Sequence, residues 1–196
     1  MPNWCYTQIA FFSLDKNELL NFQNDILIAL ESLPIKDSEA KNWQGRVSRY
    51  FNSSACGERG FIIHTSDIST TYHNGLEQYY FYLDQEDAWG PHTNMWYELI
   101  HELDKNIDFV YRAEECGNEV YINSDINGSF FPERYCVDND RESEYFEDEK
   151  SLLSYLTKLD DTFIGCESIR QSQYIAEKLV ENNTFEWLII AEYSYE

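Results

Sequence analysis

From Asn3 to Phe12 the chain is aromatic, β-branched or apolar at nearly every position, which predicts a strand. Asp15 and Glu18 then stand in capping-box spacing. Leu19, Phe22, Ile26, Leu27, Leu30 and Leu33 follow at intervals of three or four as far as Pro34. That period predicts a helix whose first turn donates to the Asp15 carboxylate. Residues 35–78 have no sustained period and are rich in Ser, Asn, Gly and Thr. They predict long loops ordered by Trp43, Tyr50 and Phe51, with one strand at GFIIHTSDI. YYFYLD predicts a strand with aromatic side chains on both faces. Pro91 or Thr93 then opens a helix whose apolar stripe is Met95, Trp96, Leu99, Ile100 and Leu103.

IDFVYRAEE and NEVYINSDI alternate with period two around Cys116, Gly117 and Asn118, a hairpin pattern, and FFPERYCV predicts a further strand. Residues 138–150, DNDRESEYFEDEK, predict a solvated loop. Leu152, Leu153, Leu156 and Leu159 mark a short helix, Ile169–Val180 a longer one, and TFEWLIIAEYSYE a last strand whose WLIIA core lacks alternation, as burial on both faces requires. The expected fold is α+β: a ferredoxin-like antiparallel sheet with two packed helices over residues 1–138, and a helix-helix-strand extension over 139–196 packed on the same domain.

Charge narrows the partners. Thirty-six acids against 14 Lys and Arg give a net charge of −22 over 196 residues. Residues 1–60 hold seven acids and six bases, residues 61–196 twenty-nine and eight, and Gly60–Asp104 contains no Lys or Arg. A field of that sign opposes direct binding of nucleic acid or an anionic membrane, and attracts basic proteins. Five widely separated cysteines without metal spacing, and no long apolar run, predict a reduced, cytoplasmic protein.

Signatures of catalysis are weak. His64, His73, His92 and His101 contain no i, i+4 pair, so neither a metal site nor a cofactor is expected. Cys5 lies in a predicted strand and reads as a buried thiol, and Trp4, Trp89 and Trp96 read as core. INSDINGSF fits a tight turn better than a calcium loop.

MPNWC at the start, the Ala88-Trp89-Gly90-Pro91 element before the second long helix, and Glu114, Glu115 and Gly117 in the hairpin together resemble the YubB-type ferredoxin-like family of plasmid, phage and genomic-island proteins. The resemblance spans residues 1–137, and its motif residues Pro2, Asn3, Trp4, Cys5, Trp89 and Pro91 are expected to be structural. An Asn-Trp-Gly-Thr-Lys-Trp element usual in the family is reduced here to Asn42, Trp43 and Gly45, far upstream. The resemblance implies a fold and a mobile-element context, with no catalytic centre.

Two functions follow as expectations. The first is a non-catalytic acidic interaction protein binding a basic, nucleic-acid-handling partner, in its most concrete form a DNA-mimic inhibitor of a host defence nuclease or an immunity protein. Its contact residues are expected to be Asp84, Glu86, Asp87, Glu114, Glu115, Asp138, Asp140, Glu142, Glu144, Glu147, Asp148 and Glu149, with the aromatic residues Tyr145, Phe146, Tyr193 and Tyr195. The alternative is a small-molecule-binding protein or enzyme with a Cys/His-containing pocket.

Overall fold

Alternation along β1 (Trp4–Ser13) orients the first sheet: Cys5, Thr7, Ile9 and Phe11 are buried, whereas Trp4 and Tyr6 are exposed. The computed structural model describes residues 3–32, 40–55, 59–73 and 75–195. It is a mixed α+β structure with antiparallel sheets, and its chain divides into two units, Met1–Val120 and Tyr121–Glu196.

In the first unit β1 pairs antiparallel with β4 (Leu76–Ala88) on one side and β5 (Asp108–Glu115) on the other. On its other edge β4 holds β2 (Gly60–Thr65) and β3 (Ser69–His73), so the strand order runs β2-β4-β1-β5. The predicted hairpin turns through a 3-10 segment at Cys116–Asn118 into β6 (Val120–Asn123), which spans the border of the two units.

Two helices cover one face of this sheet. α1 (Lys16–Ser32) begins where Asp15 Oδ1 accepts from the amides of Asn17 at 2.8 Å and Glu18 at 3.2 Å, and it buries Leu19, Phe22, Ile26 and Ala29. Leu33 and Pro34, expected to end it, lie outside the described residues. Residues 40–55 contain a short helix, α2 (Gly45–Tyr50), that the composition did not announce. α3 (Asn94–Glu102) buries Met95, Trp96, Leu99 and Ile100, four of the five stripe positions, with Leu103 packed against the same core. Phe11 is central, its ring 5.2 Å from those of Phe81 and Trp96 and 5.6 Å from that of Phe22. Burying side chains of this size contributes roughly 1.5–3 kcal/mol each.

The second unit is built on a sheet in the order β8-β7-β9, from β7 (Tyr135–Asn139), β8 (Ser143–Phe146) and β9 (Leu188–Glu192). Tyr135–Asn139, most of it before the boundary expected at 138/139, is the central strand of this sheet. α4 (Glu149–Leu159) and α5 (Ile169–Glu181) pack on it around Val137, Leu152, Leu156, Phe163, Ala176, Leu179 and Ile190. The acidic stretch 138–150 is therefore an ordered hairpin and helix start, not a solvated loop. Asn139 makes the turn, its Oδ1 accepting from the amides of Arg141 and Glu142, and Asp148 caps α4 by accepting from Ser151 N at 2.8 Å. In INSDINGSF, Gly128 at φ +67° closes a turn onto the Asp125 carbonyl, and the Asp125 carboxylate accepts from the amides of Phe130 and Phe131. Among the described residues no helix is long and apolar enough to cross a membrane.

Candidate functional site

The strand register of the first unit lines up two rows of side chains on the sheet face opposite α1 and α3. Cross-strand pairing places Phe61, Glu86, Tyr6 and Glu114 side by side on β2, β4, β1 and β5. The neighbouring row is His64, Asp84, Gln8 and Arg112, with a register shift in β2 between Ile62 and His64. Strands stand about 4.8 Å apart, so Glu86 and Glu114 flank Tyr6 at roughly 10 Å from one another. Trp4 adds a rim, its ring 5.5 Å from that of Phe61.

The carboxylates on this face differ in how they are held. Asp84 accepts from Gln8 Nε2 at 2.8 Å and also bonds the Tyr6 hydroxyl. Burial first, and then Asp84, hold the Tyr6 phenol well above its ordinary range, so Tyr6 stays a neutral donor. Glu114 lies 3.5 Å from Arg112 Nε, and Glu86 is exposed. Three carboxylates thus face one guanidinium among aromatic rings, a surface suited to the cationic side chains of a partner.

Asp87 and Glu115 were expected beside these acids and are not on the surface: Asp87 is 0% exposed and Glu115 3%. β4 runs to Ala88, four residues past YYFYLD, and strand parity turns Asp87 inward behind Glu86 as it turns Glu115 behind Glu114. Asp87 Oδ2 accepts from Gln85 Nε2 at 2.6 Å, His92 N at 3.1 Å and Thr7 Oγ1 at 3.2 Å. Trp96 Nε1 donates to Gln85 Oε1 at 2.9 Å, which fixes that amide. Cys5 sits opposite Asp87 in the register. Burial above all pushes its thiol up to about 11, against an opposing bond from Thr7 and with smaller contributions from the neighbouring acids. A thiol so placed is a poor nucleophile at neutral pH, and the His92 ring engages the Ala88 carbonyl at 2.9 Å.

The motif residues divide. Pro2 lies outside the described residues. Asn3 accepts through its carbonyl from Trp89 N at 2.9 Å, tying the start of the chain to the end of β4. Trp96 is core, but Trp4 and Trp89 are 44% and 57% exposed, contrary to expectation. Trp4 falls on the outer parity of β1, and Trp89 leaves the strand at φ +76° just before the half-buried Pro91.

In the second unit Asp140, Glu142, Glu144, Glu147 and Asp148 are exposed, while Asp138 and Glu149 are half-buried. Several of them serve the fold: Asp138 accepts from Ser143 Oγ, Glu142 from the Tyr155 hydroxyl, and Glu149 from Ile169 N. Tyr145 is exposed and Tyr195 lies under the Arg134 guanidinium at 5.1 Å. Tyr193, expected at an interface, is buried at 2% beside Tyr121, and Phe146 is half-buried against Tyr155 in the core. Phe146 takes the parity of β8 that faces Val137 and the helices, and Tyr193, just past β9, packs with Tyr121, Cys136 and Ala191.

Sequence reading missed Tyr6, Gln8, Phe61 and Arg112, whose place on the acidic face depends on cross-strand register. Among the described residues no group of three or more His, Cys, Asp and Glu is placed to hold a metal ion. No protein-family model and no curated protein matches the chain.

Proposed function

We propose that the chain is a non-catalytic interaction protein whose first unit binds a basic protein through the open sheet face. The carrying observation is the row Phe61, Glu86, Tyr6 and Glu114 with Asp84 in the next row: carboxylates interleaved with aromatic rings on a face that α1 and α3 leave uncovered. Such a face offers charge to a lysine or arginine side chain and a flat apolar surface to its stem. The strand order β5-β1-β4-β2, with a helix following β1 and another following β4, supports reading the first unit as ferredoxin-like, in line with the MPNWC resemblance.

The partner in this reading handles nucleic acid, because carboxylates on a rigid sheet then stand where it would meet phosphates. Its concrete form is an inhibitor of a defence nuclease, carried by a mobile element. A Cys/His reaction centre is disfavoured by the raised Cys5 thiol and by the engagement of the His92 ring with a backbone carbonyl.

Capture from a host lysate at low and at high salt tests the proposal, comparing the native chain with D84N/E86Q/E114Q and with D140N/E144Q/E147Q. The first variant is expected to lose affinity by on the order of tenfold or more, with a shallower salt dependence, and the second to bind normally. Undiminished capture by the first variant overturns the assignment to this face, and absence of any basic protein at low salt overturns the function.

A further inference from the structure

Beneath the open face, two buried oxygens meet without a donor between them. Asp87 Oδ1 and Gln44 Oε1 are both enclosed and have no hydrogen-bond partner. Both crowd the space over Gly60, where a Cβ would collide with each of them. Two facing acceptors in an enclosed site are costly, on the order of 1–3 kcal/mol for each group left unpaired.

Rotating the Gln85 amide does not resolve the conflict. Trp96 Nε1 can only donate, so Gln85 Oε1 must face it and Gln85 Nε2 must face Asp87. Gln44 Nε2 points to the His92 carbonyl at 3.5 Å, and a flip would turn Nε2 to Asp87 at the cost of that contact and set Oε1 against the carbonyl. Asp87 itself is asymmetric. Oδ2 accepts three hydrogen bonds, while Oδ1 accepts none.

We propose that Asp87 is held as the neutral acid, with Oδ1–H donating to Gln44 Oε1, and that this proton fastens the segment before α2 and the loop before α3 to the end of β4. One proton satisfies both orphaned oxygens and leaves the three bonds to Oδ2 intact. The groups facing Asp87 are Cys5 and Thr7 from β1, Gln85 on its own strand, Gln44 from the turn before α2, Gly60 from β2 and His92 from the loop before α3. Glu115 lies on β5, on the other side of β1 from β4. Burial raises the Asp87 carboxyl above its ordinary range, against the opposing bonds from His92 N, Gln85 and Thr7 and the opposing charge interaction with His92.

The folded state therefore holds this proton more tightly than the unfolded chain does. The contribution to stability is fully present at low pH and is lost as pH rises through the native pKa of Asp87. At that point two acceptors, one of them charged, face each other, and the junction of α2 with β2 and β4 loosens.

Carbon-13 NMR of the side-chain carboxyls in the full-length chain tests this. Asp87 is expected to remain protonated at a pH where the bulk of the chain's exposed carboxylates have ionised. D87N, which supplies an N–H to Gln44 Oε1 permanently, is expected to match the native unfolding midpoint below the unfolded carboxylate range and to lack the decline that the native chain shows as pH rises from there through the native pKa of Asp87. Ionisation of Asp87 together with or before the exposed carboxylates overturns the proposal, and so does a D87N variant that is destabilised at neutral pH. Neither result depends on whether the open face binds a basic partner.

Discussion

Replacing Gly60 by Ala drives a methyl group into the Gln44 amide and the Asp87 carboxylate, both enclosed and neither able to withdraw toward solvent. G60A is expected to cost roughly 1–3 kcal/mol, read as a lower midpoint in denaturant with an unchanged slope. The glycine is required for close approach and not for its backbone angles. This is also the scale at which the sequence was least legible. Glu86 and Asp87 are adjacent acids, and composition treats them alike; strand parity makes one a surface charge and the other a buried acid. Reading them correctly needed the full extent of β4, and Gln85, Glu86 and Asp87 hide the end of its alternation. Gln44 and His92 were invisible for a different reason, since they meet Asp87 only through tertiary packing.

Elements differ in what their termini demand. Asp148 caps α4 by accepting from the backbone and hydroxyl of Ser151, bonds that hold its carboxyl below the usual range. Its contribution runs opposite in sign to that of Asp87: it is present above the unfolded carboxylate range and is lost as pH falls through the depressed native pKa. D148A is expected to lower the thermal midpoint at neutral pH, with the difference from the native chain vanishing in acid. Ser168 caps α5 through Gln171 N without titrating, so S168A is expected to cost about 1 kcal/mol at every pH. Melting curves across pH distinguish the two caps. The long helices were legible because their apolar period and caps agree. α2 was not, because six residues are too few to show a period, and the β7–β8 hairpin was not, because its turn is made by the Asn139 side chain within a run of charge.

Across the whole molecule the acids are shared between the units, 19 against 8 bases in residues 1–120 and 17 against 6 in 121–196, or −11 each. Self-repulsion of that size opposes folding at low ionic strength and is screened by salt. The melting temperature is expected to rise when sodium chloride is added, with no cation specificity; a decrease would show that attractive pairs dominate instead. The α+β class and most element positions were legible at this scale, because they follow from apolar periodicity. The direction of each acid was not, because net charge carries no geometry. Trp4 and Trp89, exposed at one end of β1 and β4, contrast with Trp96, enclosed beneath the same sheet. Trp187, exposed in the second unit, answers quenchers as well, so in W187F the rim indoles become an intrinsic optical reporter: quenchers reach them and not Trp96, and emission that becomes shielded registers a molecule settling beside Glu86 without any attached dye.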